Sequence, residues 1–319
     1  MDIITSSQNQ IVRRIRALRE KKFRQETGLF IVEGIKFVNE ISERTAKKGG
    51  GVADFCEAKV TERTAKKGGG VADFCEAKVT ERWEVECFVA AQSFEDLGGL
   101  ARDVPVHIVS DGLFSSLSDT VSPQGVLAIV RQRLFDVEDV FDNPLILMLD
   151  GINDPGNLGS ILRLAQSVRA GVLLSEDCVD LYNPKAVRSA AGSFFHLRFA
   201  YCGLEKAANM MKARGIKIFA AMPHSDQSIY EVDFGGEGPC AILVGNEARG
   251  VSARMAELAC ERVKIPMIGE AESLNAGMAC GIVVYEVLRR RLWMKEGADE
   301  RGIAESVICG ERAKLPRHK

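Results

Sequence analysis

Residues 145–163 read LILMLDGINDPGNLGSILR, and the fold turns on how this stretch is read. Residues 145–149 are five apolar side chains in a row. A strand that alternated between core and water would break such a run, so this one is buried on both faces, as in a parallel sheet covered by helices. Asp150, Gly151, Asn153, Asp154, Pro155 and Gly156 then crowd turn formers into one strand-to-helix loop. A helix is expected from Leu158, with Asn157 as its cap. Arg163 follows among apolar neighbours on that helix, where a guanidinium needs either a protein carboxylate or a ligand phosphate. Spacing leaves both readings open.

Working outward, the same grammar repeats. Apolar runs at residues 172–174, 216–221, 241–244 and 263–265 read as further strands. Helical stretches at residues 158–168, 184–194, 204–214 and 251–258 separate most of them. A long helix over residues 274–294 closes the unit. Strands alternating with helices predict a parallel sheet in a domain spanning residues 140–294. Residues 131–143 read as a polar linker, and residues 295–319 as a loose, charged tail.

Ahead of the linker, residues 1–135 read as a smaller α/β unit. Residues 9–26 suggest one helix with a dense basic face, including Arg13, Arg14, Arg16, Arg19 and Arg24. Such a face is either merely solvated or in contact with a nucleic-acid backbone. Strands are expected at residues 28–32, 85–90, 106–109 and 125–130, with a helix over 35–41. Between them lies a tandem duplication: residues 43–61 read ERTAKKGGGVADFCEAKVT, and residues 62–80 repeat it letter for letter. Two identical copies are a recent duplication or a sequence error rather than a solenoid, and one copy should be dispensable.

Composition narrows the chemistry. The chain has 319 residues with a formal net charge of -2, so any RNA affinity must come from local patches. No apolar run approaches the ~20 residues of a membrane helix, and the first ten residues lack a signal-peptide core. A cytoplasmic protein is expected. Nine cysteines, none in a CxxC pair, and four scattered histidines read as reduced core thiols without a metal site. GxSxG, HExxH and GxGxxG are all absent, so hydrolysis, metal catalysis and hydride transfer lack their parts.

Two further polar strand ends resemble the first in placement. Residues 243–250 read LVGNEARG: an apolar strand ends in Gly-Asn-Glu, where Gly245 would allow close approach of a ligand and Glu247 would start a helix. Residues 265–277 read IPMIGEAESLNAG, with Ser273 as expected cap of the long helix. Ligands of parallel sheets gather beyond such strand ends.

The order DPGNLGSILR, LVGNEARG, IPMIGEAESLNAG resembles the three motifs of the SpoU/TrmH methyltransferases of the SPOUT superfamily. Residues 183–195, NPKAVRSAAGSFF, resemble that family's connecting segment. More weakly, Ser7, Asn9, the basic helix, Phe30, Glu33-Gly34 and SPQGV at residues 122–126 resemble the ribosomal-protein-like substrate-binding domain often fused to these enzymes. The duplication departs from that pattern. The resemblance implies a trefoil-knotted, mainly parallel catalytic domain behind a small α/β RNA-binding domain. It implies methyl transfer from S-adenosylmethionine to a ribose 2′-hydroxyl of structured RNA, in a homodimer and without a metal. Gly245, Ile265 and Leu274 would hold the cofactor through backbone. Asn157, Arg163, Glu247, Ser273 and Asn275 match the polar active-site positions, with Asn157 and Glu247 gripping Arg163. Arg13, Arg14 and Arg16 would bind RNA. The separate N-terminal unit favours ribosomal RNA over tRNA; a non-catalytic RNA-binding protein on the same fold is the alternative of another class.

Overall fold

The computed structural model describes residues 2–43, 83–100, 103–133, 135–234, 236 and 238–296. The duplicated segment from Arg44 onward and the tail beyond Glu296 lie outside these residues, so the expectations placed there stay open.

The N-terminal unit opens with α1 (Gln10–Ala17) and α2 (Lys21–Thr27), then β1 (Leu29–Glu33) and α3 (Ile35–Glu43). It continues with β2 (Val85–Ala91), β3 (Val106–Val109), α4 (Asp111–Leu117) and β4 (Val126–Arg131). The strands form a mixed four-stranded sheet in the order β1-β4-β2-β3, with only β2 and β3 parallel. The single basic helix expected over residues 9–26 is two helices. Asn9 caps α1 by accepting from the Ile11 N–H. The chain leaves α1 at Leu18, which is fully buried, and α2 starts a new direction at Lys21.

The linker region also holds a helix, α5 (Val137–Phe141), started by a capping box between Asp136 and Asp139. Then come β5 (Leu145–Asp150), α6 (Pro155–Ser167), β6 (Gly171–Leu174), α7 (Pro184–Ser189), β7 (Phe199–Tyr201), α8 (Leu204–Ala213) and β8 (Lys217–Ala221). The described residues continue with β9 (Gln227–Ser228), β10 (Cys240–Gly245), α9 (Ala253–Leu258), β11 (Glu261–Lys264) and α10 (Ala276–Glu296). The seven strands pair in parallel throughout, in the order β7-β6-β5-β10-β8-β11-β9. The helix expected over residues 184–194 stops at Ser189. Ala191 and Gly192 take positive φ, and a short 3-10 turn follows. At Gly192 a Cβ would lie 2.8 Å from Glu40 Oε2 and 3.2 Å from the Phe37 ring, so α3 packs closely against this turn.

Period-two alternation distributes each strand between two cores. In β5, Leu145, Leu147 and Leu149 face one core while Ile146 and Met148 face another under α8 and α9. In β4, Val126, Ala128 and Val130 join the same core as Leu145, whereas Leu127 and Ile129 pack under α1 and α4. One core therefore lies between the two sheets. Aromatic rings fill it: Phe30 sits 4.6 Å from Tyr182 and 5.8 Å from Phe194, and Trp83 sits 5.1 Å from Phe195. Arg24 crosses the same seam, 1% exposed. Its Nε and Nη2 donate to Asp180 Oδ2 at 2.9 and 2.7 Å, and its Nη1 donates to the carbonyls of Leu18 and Arg19. Arg24 thus belongs to the seam and not to a solvated basic face. Cys87, Cys178, Cys240 and Cys280 are buried and unpaired, as small core residues. No helix among the described residues is long and apolar enough to cross a membrane.

Candidate active site

β10 inserts between β5 and β8, so the first two motifs end side by side: Gly245 pairs in register with Asp150. The third motif leaves β11, and α10 returns from it to pack on α6 and β10. Three polar loops thereby converge at the carboxyl end of the sheet.

A hydrogen-bonded chain joins them. Asn275 Nδ2 donates to Asn157 Oδ1 at 2.7 Å, and Asn157 Nδ2 donates to Glu247 Oε1 at 2.8 Å. The Asn153 and Asp154 amides also point at the Glu247 carboxylate, each at 3.3 Å. Asn157 is 8% exposed, so both ends of its amide must be satisfied by protein, and they are. Burial pushes the Glu247 carboxyl up, but the hydrogen bonds from Asn157, its own backbone, Asn153 and Asp154 outweigh this and hold it below the usual carboxylate range. Glu247 is an ionised acceptor tied to the first motif.

Local chemistry differs from the expectations in four places. Asp154, not Asn157, caps α6, accepting from the Asn157 amide at 2.8 Å; Pro155 at the first helical position moves the start ahead of Leu158. Asn157 is freed by this for the chain above. Asn275, not Ser273, accepts the Gly277 and Met278 amides at 3.0 and 3.2 Å at the start of α10. Ser273 is exposed and stands outside the hydrogen-bonded chain. Glu247 does not start a helix; it sits in a tight turn closed by the Asn246–Gly250 bridge, and α9 begins only at Ala253. Gly245 is fully buried, and a Cβ there would lie 2.1 Å from Gly250 C and Val251 N. Glycine is required at that position by the chain's own turn.

Asn246 carries a role that the sequence reading did not assign. Its Oδ1 accepts from the Ala248 and Arg249 amides, and its Nδ2 donates to the Gly151 carbonyl at 2.6 Å. It shapes the second loop and ties it to the first. The signal was present as an Asn at the start of a turn ending in Gly.

Arg163 is exposed on α6, and its side chain makes no hydrogen bond or ion pair with any described residue. The expected grip of Asn157 and Glu247 on it is not made. Of the two readings left open by spacing, the salt bridge is absent, and the donors of Arg163 are available to a ligand. Residues 265–274 likewise make no backbone hydrogen bond with any described residue, while Ile265 and Leu274 are half-buried. Free amides and carbonyls beside apolar side chains suit an adenosine-bearing ligand held by backbone, the donor set S-adenosylmethionine needs. In the N-terminal unit, Arg13 and Arg16 are exposed, whereas Arg14 is engaged by Glu86 through two bonds of 2.6 and 3.0 Å.

Comparison with known proteins places this geometry. The SpoU rRNA Methylase family model matches residues 144–285, and an MRM3-like substrate binding domain matches residues 9–67. An uncharacterized tRNA/rRNA methyltransferase of Synechocystis is 30% identical over 292 residues, 91% of this chain and 94% of that protein. The 23S rRNA (guanosine(2553)-2′-O)-methyltransferase RlmP of Bacillus subtilis is 28% identical over 90% of this chain and 99% of its own length. Among solved structures, the AdoMet-bound rRNA methyltransferase from Sinorhizobium meliloti superposes with a TM-score of 0.71 at 28% identity, over 90% of this chain and 97% of that one. With the likeness running through both sheets and all three strand-end loops, the chain belongs to the SpoU rRNA methylase family.

Proposed function

We propose that this chain transfers a methyl group from S-adenosylmethionine to a ribose 2′-hydroxyl of ribosomal RNA. The observation that carries the reading is the Asn275–Asn157–Glu247 chain with an unpartnered Arg163 on the helix it anchors. Bound S-adenosylmethionine supplies a methyl group already activated on a sulfonium, so the protein's task is to bring the 2′-oxygen in line with it. Gly245, Ile265 and Leu274 would hold the cofactor through backbone. Arg163 contacts the phosphate next to the reacting ribose; a guanidinium with pKa above ~12 does not serve as a plain general base. The hydroxyl proton leaves to solvent as the oxygen gains the methyl group. Ionised Glu247 fixes the first loop through Asn157, and Ser273 shapes the cofactor pocket from the third.

Residues 1–135 act as the RNA-binding domain, with Arg13 and Arg16 toward the backbone and Arg14 partly committed to Glu86. Residues 140–294 form the catalytic domain. A trefoil knot is supported by the insertion of β10 between β5 and β8 and by the return of α10 from β11 to α6. A cytoplasmic homodimer is the expected assembly. Its support is a solvent-facing stripe on α10, where Met278 and Tyr285 are 60% and 57% exposed and Ile282 lies between them.

The test is methyl transfer from labelled S-adenosylmethionine to separated ribosomal RNA and tRNA, with the methylated riboses mapped. Transfer to ribosomal RNA supports the reading, and transfer to tRNA alone replaces the substrate. RNA binding without transfer, or no binding of the cofactor by calorimetry, overturns the enzyme.

A further inference from the structure

A second polar contact crosses the seam between the sheets, at some remove from the buried Arg24 pair. Asp119, in the loop after α4, faces one arginine from each unit. Arg19 Nη2 lies 2.9 Å from Asp119 Oδ1, and Arg188 Nη1, on α7, lies 3.7 Å from Asp119 Oδ2. Two guanidinium groups flank one carboxylate. All three side chains are about one-third exposed, at 34%, 32% and 34%, which leaves the group in reach of solvent.

The cluster is braced. Arg19 also donates to the Leu117 and Ser118 carbonyls at the end of α4. Glu33 accepts from the Asp119 amide, the Thr120 hydroxyl and the Ser118 hydroxyl, holding the loop against β1. Arg188 is different. Its separation from Asp119 is too long for a hydrogen bond, and it has no other side-chain partner among the described residues. Its planar fork is positioned and unspent.

The cluster is also connected to the candidate active site. α7 lies on α6 so closely that a Cβ on Gly159 would fall 2.3 Å from Ser189 Cβ, beside Arg188. Arg163 stands one helical turn beyond Gly159 on the same stripe of α6. Arg188 is thereby tied through α7 to α6, the helix that carries Arg163. Val121, completely exposed, lies two residues beyond Asp119 in the same loop.

We propose that Arg188 and Arg19, held side by side by Asp119, form a second seat for a backbone phosphate of the RNA substrate, shared between the two domains. The proposal rests on the RNA methyltransferase reading. A guanidinium fork matches two phosphate oxygens at once, which the unspent Arg188 can do. Arg19, with Nη2 committed to Asp119 and the loop carbonyls and Nε buried, adds its charge and Nη1. Asp119 is a positioning residue: it fixes the spacing of the forks without touching the ligand. Phosphates bound at this seat and at Arg163 set the register of the ribose, because the seat exists only when the N-terminal sheet is docked.

The experiment uses the full chain, a ribosomal RNA fragment that the wild type binds, and three variants: Arg188→Gln, Arg188→Lys and Arg19→Gln. RNA affinity is followed from about 50 to 200 mM salt, with KM, kcat, cofactor affinity and melting temperature alongside. For either Gln variant, RNA Kd and KM should rise about five- to tenfold. The salt slope should fall by about 1, with kcat and cofactor affinity unchanged. The Arg188→Lys variant should restore the slope with partial affinity, since it keeps the charge but not the fork. Wild-type affinity and slope in Arg188→Gln overturn the seat. So does a lower melting temperature with an unchanged slope, which marks a structural ion pair only. Inorganic phosphate that binds through Arg188 without displacing RNA would assign the site to a free anion and also overturn it. If the wild type binds RNA but methylates none, the catalytic reading fails instead, and the slopes still decide the seat.

Discussion

Asn157→Asp exchanges an NH2 group for an oxygen at the centre of the site and turns a charge-assisted hydrogen bond into a repulsion. Asn157 Nδ2 lies 2.8 Å from Glu247 Oε1, while Asn157 Oδ1 accepts from Asn275 at 2.7 Å. The substitution keeps the volume and the Asn275 contact, so the change is electrostatic. At this separation two unit charges repel by ~1.5 kcal/mol in the dielectric of water and ~6 kcal/mol at an effective value near 20. The upper figure is not reached, because the pair takes up a proton instead: protonating a carboxyl of ordinary pKa at neutral pH costs ~4 kcal/mol. The expected destabilisation at neutral pH is therefore about 2–4 kcal/mol, or a melting temperature lower by ~4–10 °C. The sign with pH follows from linkage. The carboxyl pair in the folded variant has one pKa raised above its unfolded value, so its stability is full at low pH and is lost as pH rises through the raised value. The deficit against wild type should shrink as pH falls from neutral toward about 5. Wild-type Glu247 shifts the other way: burial raises it, the hydrogen bonds lower it further, and its stabilising contribution is lost only as pH falls through that lowered value. Thermal melts of both proteins by circular dichroism across this range give the comparison. A deficit below ~1 kcal/mol at neutral pH, or one that does not change with pH, refutes the Asn157–Glu247 contact.

Arg163→Ala should lower methyl transfer by ~100-fold or more while cofactor affinity stays within a few-fold, and Arg163→Lys should rescue poorly; parallel loss of both in calorimetry and turnover would assign Arg163 to the cofactor. Arg24→Met leaves the largely covered Asp180 without its ion-pair partner and should cost up to ~3 kcal/mol in denaturant unfolding, and adding Asp180→Leu should recover most of it. Failure of the second change to help would mean that the pair is not coupled across the seam. Glutamate at both Met278 and Tyr285 should shift the protein to a monomer in sedimentation, and an unchanged mass would move the proposed dimer contact off α10.

The local pattern of the chain determined a good deal. Residues 145–149 and 241–244 announced buried parallel strands because an unbroken apolar run has no other economical placement, and they form β5 and β10 with one added residue at an end or both. The three polar strand-end loops could be located, and with them Asn157, Glu247 and Asn275, because turn formers at strand ends are a local signal. Tertiary structure decided what those residues touch. Strand order put Asp150 beside Gly245, although ninety-odd residues separate them in sequence, and only that adjacency lets Asn157 reach Glu247. Strands β7 and β9, of three and two residues, carry too little periodicity to be read alone and exist through pairing with β6 and β11. The basic run at residues 9–26 looked like one helix with a basic face, solvated or on RNA, because charge is visible in sequence and partners are not. In the fold, Leu18 buries and breaks the helix, Arg24 turns inward to Asp180, Arg14 to Glu86 and Arg19 to Asp119. The helix caps shifted by a few residues because several capping residues stand close together: Asp154 with Pro155 starts α6, and Asn275 starts α10. Periodicity and turn chemistry act over a few residues and are written locally; which loops meet is fixed by burial of whole faces, which no short stretch contains.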